Sequence, residues 1–431
     1  MKQLETQTHN FGIIHINRIA IIQYILIYIV IQYNGGRVAE KLGSDLFYGG
    51  TLIVCAFLLW SNPKRLPLKK KIFTPLIVII MSMGITFCIT NGDLSLGTIL
   101  SILSRFVVVY VAIQYEPENF LNRFLNMTFL MACISLTEFA FVQVVGETRA
   151  LSFFSLLPEI QNRTEWLGSS YGLFFICYNF MDSARNAYMF GEPGEYQILL
   201  IAALYLMTFF ENNIDVKKKK IYYIVFIATL ITVQSTTGYF NLIAFTISVL
   251  IVNRNNLNQI AKRSIIILLI VLIVYLIFFY SDESFLYTNF ISKIMNDDNS
   301  IDLAVNTGAA RVGPMMRFWE TLLTVPHKLI FGVGYNGLNS IPFGGYSTCG
   351  LLNSIVMIGF ISSVILYGRM VNALIYGANS FIQIVLALFI VINMGLSQPD
   401  IMPVMSVLIC MYGEISRLND KSLLKRSYII K

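Results

Sequence analysis

The sequence predicts an all-α, polytopic integral membrane protein with about twelve transmembrane helices and two large outer loops. Of its 431 residues, 56% are hydrophobic and 13% are charged, and the mean hydropathy is +0.67. Ordinary soluble chains carry about 25% charged residues, so this composition excludes a water-soluble fold. The hydrophobic residues form blocks that approach the roughly 20 residues needed to cross about 30 Å of hydrocarbon.

Twelve apolar blocks are predicted to be the spanning helices of a single membrane domain, residues 1–431. The first block runs directly into Gln32 and Tyr33 without a small-residue cleavage site, so we interpret it as a retained span and not as a signal peptide. The predicted spans cover roughly residues 19–33, 46–60, 72–90, 98–113, 124–145, 196–210, 221–233, 239–252, 265–279, 346–367, 380–395 and 401–413.

The 31 Lys and Arg residues are distributed unevenly about these spans. Of them, 21 lie in the termini or after even-numbered spans, 9 lie in the other connections, and Arg105 lies within the fourth span. Because cytoplasmic loops are rich in Lys and Arg, both termini are predicted to be cytoplasmic. The net charge of +7 is therefore a topology signal. The basic residues form no continuous stripe with interleaved aromatics, which argues against a nucleic-acid partner.

Two predicted outer loops are long, residues 146–195 and 280–345, whereas the other connections are short. Long ordered connections are usually functional. In the second loop, an amphipathic helix near 314–325 is predicted to lie flat on the outer membrane surface. Its apolar face would contain Met315, Phe318, Trp319, Leu322 and Leu323.

The seventh and eighth predicted spans are short, with thirteen or fourteen apolar residues each, or about 20 Å of helix. Their connecting turn, Gln234 to Gly238, should then lie below the membrane surface. Irregular backbone at that depth requires protein or a water-filled cavity around it. The alternative is that flanking residues reach the surface and the bilayer thins locally.

Two ionisable residues fall inside predicted spans, Arg105 in the fourth and Glu138 in the fifth. Charged groups at such depth usually pair with each other or line a polar cavity. They are therefore interpreted either as a structural ion pair between adjacent helices or as contacts with a substrate.

At the end of the first long loop, Arg185 and Glu192 lie close together just before the sixth span. The simplest interpretation is a polar loop with a Pro-Gly turn. At the membrane boundary, however, an arginine suits a phosphate group through its planar donors, and a glutamate could accept a proton from a hydroxyl. Tyr188 could stack on a sugar ring, although anchoring at the membrane interface is the simpler explanation for such aromatics.

The second long loop contains Arg311 and, after the amphipathic helix, a Gly-rich segment at 329–337 whose last six residues match GxGxxG. No βαβ unit surrounds this segment, so a tight turn is favoured over a dinucleotide site. His9, His15 and His327 are scattered along the chain, so no metal site or other cofactor is predicted.

Taken together, these features resemble the O-antigen and capsule repeat-unit polymerases, the Wzy-type members of the O-antigen polymerase and ligase superfamily. The resemblance rests on Phe190-Gly-Glu-Pro with Arg185 upstream, on Ser235 to Gly238 in a broken helical pair, and on an outer-loop arginine followed by Phe-Gly-Val-Gly at 331–334. It implies a multi-pass protein of the bacterial inner membrane with a glycosyltransferase C-type fold and periplasmic loops.

The resemblance also implies site residues. Arg185 and Arg311 would engage the lipid pyrophosphate, and Glu192 would be the catalytic base or would orient an arginine. The gap from Arg311 to Phe-Gly-Val-Gly is about three residues longer than usual in the family and that from Arg317 about three shorter, so either could be the counterpart. Ser235, Tyr188 and Arg105 are further substrate-binding candidates.

The substrate implied is an undecaprenyl-pyrophosphate-linked oligosaccharide, with membrane lipid around the protein and a chain-length regulator and a flippase as pathway partners. No nucleotide sugar or metal is required. The ligase branch of the superfamily has a functional histidine in its second outer loop, where this chain offers only His327. A flippase or other transporter would be expected to show related halves and polar residues near the midplane, and a structural membrane protein without chemistry is the remaining alternative.

Overall fold

The computed structural model describes residues 18–67, 69–91, 96–160, 170–180, 185–210, 215–252, 319, 323–324, 330–334, 349–398 and 402–429. These residues form long packed helices and one small sheet. The helices are α1 (Arg18–Gln32), α2 (Arg37–Leu42), α3 (Ser44–Ser61), α4 (Lys70–Ile89), α5 (Leu96–Tyr115), α6 (Pro117–Val145), α7 (Glu147–Phe154), α8 (Pro193–Phe209), α9 (Val216–Val233), α10 (Thr236–Val252), α11 (Gly350–Gly377), α12 (Phe381–Ser397) and α13 (Val404–Ile429), and the strands are β1 (Glu159–Ile160), β2 (Ser170–Leu173) and β3 (Ile176–Asn179).

Each predicted span that the structure describes falls largely within a helix, although α6, α11 and α13 extend well beyond their spans and the short helices α2 and α7 were not predicted. The predicted span at 265–279 lies outside the described residues. Four helices, α4, α5, α6 and α11, are long and apolar enough to cross a membrane. Stripes of apolar side chains on these four helices and on neighbouring helices face outward. A water-soluble bundle would carry polar side chains there. The architecture therefore fits a membrane protein. The exposed stripes on α3 and α4 are Ile53, Phe57 and Trp60, and Ile77, Met81 and Ile85.

Helices α9 and α10 are longer than their apolar blocks, at 18 and 17 residues. α9 begins before the run of four lysines, which accounts for most of the difference. The turn between them starts at Gln234, which is left-handed (φ +50°), and Ser235 and Thr237 are buried. Asn393 of α12 donates a hydrogen bond to the Thr237 carbonyl oxygen at 3.4 Å. Protein therefore encloses this turn, which favours the enclosed turn over local bilayer thinning.

The ion pair considered for Arg105 and Glu138 is not formed. Arg105 donates to the carbonyl oxygen of Met402, between α12 and α13. Both Glu138 carboxyl oxygens lack a hydrogen-bond partner among the described residues, and the group lies next to the Cys177 backbone. Helices α5 and α6 are antiparallel, and measured along them the depths of Arg105 and Glu138 differ by about eleven residues, or about 16 Å of helix axis. That offset explains why they cannot meet.

The first long loop contains more structure than the all-α prediction allowed. After α7, β1, β2 and β3 form an antiparallel sheet in that order, with Tyr171 opposite both Glu159 and Tyr178. Tyr178 packs with Phe154 of α7 and Val142 of α6 in a small separate core. The sheet thus fixes the end of β3 close to the start of α8.

Helix α11 is broken at Gly359, which has φ +83° and ψ +161°. The Gly-rich segment of the second loop packs against this break, and Val333 donates its backbone N–H to the Val356 carbonyl oxygen at 2.9 Å. Gly332 also has a positive φ, +90°, as the predicted tight turn requires. Thr86 of α4 donates to the carbonyl oxygen of Ile358 at 3.2 Å, so the backbone freed by the break has partners.

The opposite end of the bundle is held by polar contacts of basic residues. Lys69 donates to Asn419 at 2.5 Å, and Arg123 pairs with Glu116 at 2.5 Å. Arg417 donates to the Tyr376 carbonyl oxygen at 2.9 Å. These residues belong to the connections and the C-terminal segment predicted to be cytoplasmic, whereas Gly359, the α9–α10 turn and the start of α8 lie toward the other end.

Candidate functional site

The site begins with a contact between two segments that are far apart in sequence. Residues 35–37, at the start of α2, run antiparallel to residues 189–191, just before α8, with Gly36 opposite Phe190. Gly191 donates its N–H to the Gly35 carbonyl oxygen at 3.1 Å, and Arg37 donates its N–H to the Met189 carbonyl oxygen at 3.0 Å. This pairing fixes the backbone that leads into Glu192.

Glycine is needed at position 35 for two reasons. Its φ is +81°, a conformation that costs other residues energy. A Cβ there would also overlap the carboxyl group of Glu195 in the first turn of α8. Asn34 donates to the Glu195 carbonyl oxygen at 2.5 Å. The end of α1 therefore packs directly on the start of α8.

Glu192 is the N-cap of α8, and Pro193 follows it at the first helical position, where proline is favoured. Glu192 and Glu195 form a capping box, in which the Glu195 carboxylate accepts the Glu192 N–H at 3.1 Å. On the other side, Asn179 at the end of β3 donates to the carbonyl oxygens of Phe190 and Gly191 at 3.2 and 2.9 Å. Glu192 is thus held between α1, α8 and the small sheet.

Arg37 is a site residue that the sequence did not single out. Its side chain is 1% exposed, pairs with Glu40 and donates to the Gly191 carbonyl oxygen at 3.5 Å. The available signal was its position, an arginine directly after Gly35-Gly36 on the predicted outer side, where cations are few. The contact itself depends on a segment about 150 residues away and could not be deduced from the pattern.

The electrostatics of the site connect Arg185 with Glu192, as their spacing suggested. Burial raises the pKa of the Glu192 carboxyl group above its ordinary value of 4.5, and the nearby Glu40 adds to the rise. Arg185 and Arg37 oppose it, because positive charge favours the carboxylate. Arg185 also acts electrostatically on Tyr239 of α10 and therefore lies near the start of that helix.

Arg185 is positioned by its neighbour, Asn186. The Asn186 backbone donates to the Thr232 carbonyl oxygen at 2.9 Å, and its side chain donates to the hydroxyl groups of Thr232 and Ser135 at 3.0 and 3.3 Å. Ser135 in turn shares a 2.7 Å hydrogen bond with Tyr196 of α8. One loop residue therefore connects α6, α8 and α9 immediately beside Arg185.

Tyr188 is buried and packs against other parts of the protein. It is 1% exposed, adopts a left-handed backbone (φ +52°), and donates to the Phe175 carbonyl oxygen at 2.5 Å. Its ring packs against that of Tyr196 at 5.6 Å. In this conformation neither face of the Tyr188 ring is accessible to a sugar or to a membrane interface.

The remaining predicted site residues are separate or only nearby. Ser235 accepts the Gly238 N–H at 3.4 Å in the buried α9–α10 turn, at the same end of the bundle. Arg105 contacts Met402 instead of the Arg185 and Glu192 pair. Arg311 and Arg317 lie outside the described residues.

Part of the predicted amphipathic helix is described. Trp319, Leu323 and Thr324 are helical, and the side chains of Trp319 and Leu323 are 56% and 80% exposed. These two residues are one turn apart on the predicted apolar face. An exposed apolar face is what a helix lying on a membrane surface requires.

Among the described residues, no group of three or more His, Cys, Asp and Glu side chains is arranged to bind a metal ion. The site contains the Glu192 carboxyl group with Arg185 and Arg37 beside it, and the carboxyl groups of Glu40 and Glu195 lie nearby. Comparison with models of protein families, with curated proteins and with solved structures finds no match.

Proposed function

We propose that this protein polymerises undecaprenyl-pyrophosphate-linked oligosaccharide repeat units, of O-antigen or capsule, at the periplasmic face of the bacterial inner membrane. The observation that carries the proposal is the position of Arg185 and Arg37 around Glu192, at one end of an apolar helical bundle. A lipid carrier presents its pyrophosphate and first sugar at the membrane boundary. Arginine is suited to bind the former and glutamate to activate a hydroxyl of the incoming sugar.

The chemistry is a glycosyl transfer. A hydroxyl oxygen of an incoming lipid-linked unit attacks the anomeric carbon of the growing chain and forms the new C–O bond. The bond from that carbon to the pyrophosphate oxygen breaks, and its electron pair leaves with undecaprenyl pyrophosphate. Glu192 takes the hydroxyl proton. Arg185, together with Arg311, stabilises the charge that develops on the leaving group, a type of interaction that often dominates catalysis.

The membrane arrangement belongs to the same proposal: about twelve spans, with both termini cytoplasmic. Two observations support it. The contacts of Lys69, Arg123 and Arg417 gather at one end of the bundle, as basic cytoplasmic connections would. The segment pairing around Glu192 and the buried α9–α10 turn lie toward the other end.

The proposal is tested by the surface glycans of cells that lack the gene. Flipping and transfer to the final acceptor still operate without a polymerase, so these cells should carry single repeat units, and the wild-type gene should restore the ladder of longer chains. Surface glycan with no repeat units, and lipid-linked units accumulating on the inner leaflet, would indicate a flippase. Long chains that remain on the lipid carrier would indicate a ligase.

A further inference from the structure

A cluster of amide side chains lies inside the bundle below Glu192, between α8, α10 and α12. Gln197 of α8 and Asn241 of α10 are both 0% exposed. Neither the oxygen nor the nitrogen of the Gln197 amide has a hydrogen-bond partner in the part of the chain that the structure describes, and the Asn241 nitrogen has none either. The side-chain oxygen of Asn241 accepts from Asn393 of α12 at 2.9 Å.

The helices that carry Gln197 and Asn241 come close together at Gly238. A Cβ built on Gly238 would lie 3.2 Å from the Cβ of Gln197. Asn241 is three residues further along α10 and therefore lies on the same face as Gly238. The amides of Gln197 and Asn241 thus belong to one tightly packed contact between α8 and α10.

Leaving these amides without partners is unfavourable. An unsatisfied buried polar group costs about 1–3 kcal/mol, and apolar residues of the same size would avoid that cost. Gln197 begins an otherwise apolar stretch of α8, and Asn241 lies between Phe240 and Leu242. Such groups in a folded protein call for an explanation, of which a bound polar group is one.

The free atoms define the chemistry of that group. Two are N–H donors and one is a carbonyl acceptor, so the matching ligand both accepts and donates hydrogen bonds, as a hydroxyl group does. A metal cation fits less well, because Asn241 already uses its oxygen and no carboxylate contributes. Gln197 is five residues along α8 from Glu192, or about 7.5 Å of helix axis.

We propose that Gln197 and Asn241 form a binding site for hydroxyl groups of the oligosaccharide repeat unit, beneath the group that accepts the proton. The inference rests on the proposed function. Both amides are enclosed in this conformation, so binding of the sugar opens the contact between α8 and α10.

The test replaces each amide with an apolar side chain of similar size, Gln197→Met and Asn241→Leu. Gln197→Met should unfold at the same temperature as the wild type or higher, because an unsatisfied polar group is removed. Asn241→Leu should unfold at a slightly lower temperature, because it also removes the acceptor of the Asn393 hydrogen bond. Chain growth, measured per amount of membrane-inserted protein, should nevertheless fall about tenfold, the effect of losing hydrogen bonds to a substrate.

Gln23→Met is the matched control. Gln23 is equally buried, but its amide donates to the carbonyl oxygens of Ala112 and Glu116 at 2.9 and 3.0 Å and accepts from Arg123 at the opposite end of the bundle. Its replacement should lower the unfolding temperature, and the amount of polymer should follow the amount of protein.

A binding measurement tests directly whether the sugar occupies the site. The probe is the repeat-unit oligosaccharide released by mild acid from the lipid carrier of cells that lack the gene. It should raise the unfolding temperature of the purified wild-type protein and not that of Gln197→Met. An equal rise in both proteins, or no rise in the wild type, would overturn the sugar site.

Failure of this inference is distinguishable from failure of the proposed function. If cells without the gene still make long chains, the proposed function is wrong. If those cells lose long chains while Gln197→Met and Asn241→Leu cells make them at the wild-type rate, the function stands and the amide site is wrong.

Discussion

The carboxyl group of Glu195 occupies the space that a side chain on Gly35 would need. This contact joins the end of α1 to the first turn of α8 and holds Glu192 in place. We expect Gly35→Ala to abolish chain growth and to reduce the amount of folded protein, because the Cβ must displace Glu195 and the positive φ disfavours alanine. Membrane abundance and glycan ladders measure the two effects.

Gly43→Ala is the control for Gly35→Ala. Gly43 has the same φ of +81°, but a Cβ there would meet nothing within 4 Å. It should therefore show only the conformational cost, about 1–3 kcal/mol, with ladders of normal length. Equal damage in both variants would mean that the contact with Glu195 is unimportant.

The break in α11 gives a second prediction. A Cβ on Gly359 would overlap the backbone of Ile330 and Phe331, and its φ of +83° also disfavours a side chain. Gly359→Ala should therefore separate the Gly-rich segment from α11 and stop chain growth.

Gly368→Ala is the control in the same helix, since nothing lies within 4 Å of its added Cβ. It should be neutral or slightly stabilising. A normal glycan ladder in Gly359→Ala cells would show that the contact is dispensable.

The proposed roles of the arginines are tested by substitution. Arg185→Ala and Arg311→Ala should each abolish chain growth in protein that is inserted at normal abundance, and lysine should restore it only in part because the planar fork of donors is lost. Arg317→Ala should cost little if Arg317 lies on the exposed face of the surface helix. If Arg317→Ala is inactive while Arg311→Ala is active, Arg317 is the arginine that contacts the pyrophosphate. Normal ladders in both Arg185→Ala and Arg311→Ala cells would remove the support for this site.

The pH dependence of chain growth tests Glu192 as the base. A base must be ionised, so the rate should fall as the pH drops through the pKa of Glu192, which lies above 4.5. Glu192→Gln should be inactive. Arg37→Met should move the fall to higher pH because it removes a charge that lowers this pKa, and Glu40→Gln should move it to lower pH. Shifts of the same sign in both variants would contradict the assignment.

The same pKa shift has a consequence for stability. The unfolded chain releases the Glu192 proton near pH 4.5, before the folded protein does. The unfolded state therefore binds fewer protons between 4.5 and the folded pKa, and the contribution of Glu192 to stability falls as the pH rises through that window. Glu192→Gln should remove this part of the pH dependence of unfolding.

The helices could be predicted because long apolar blocks leave few alternatives in a membrane. The proximity of Arg185 and Glu192 also followed from their spacing just before the sixth predicted span, whereas the position of the α9–α10 turn relative to them was not predicted. The role of Arg37 could not be predicted, since it depends on which helix ends meet. Apolar blocks of similar composition do not specify their packing partners.

Two other differences between the predicted and the observed structure have local causes. The sheet β1–β2–β3 consists of strands of two to four residues, too short to produce a clear alternating pattern. Arg105 and Glu138 suggested an ion pair because each is ionisable and lies inside a predicted span, yet their difference in depth along α5 and α6 separates them. Counting residues from the connection at Glu116 would have revealed that difference from the sequence.

The central claim is most directly tested by reconstitution. The purified protein in liposomes, supplied only with undecaprenyl-pyrophosphate-linked repeat units from cells lacking the gene, should produce a ladder of chains and release one undecaprenyl pyrophosphate for each linkage. Glu192→Gln protein of equal abundance and unfolding temperature should produce none. If the folded wild-type protein leaves the units unjoined, or moves them across the bilayer without joining them, the protein is not the polymerase proposed.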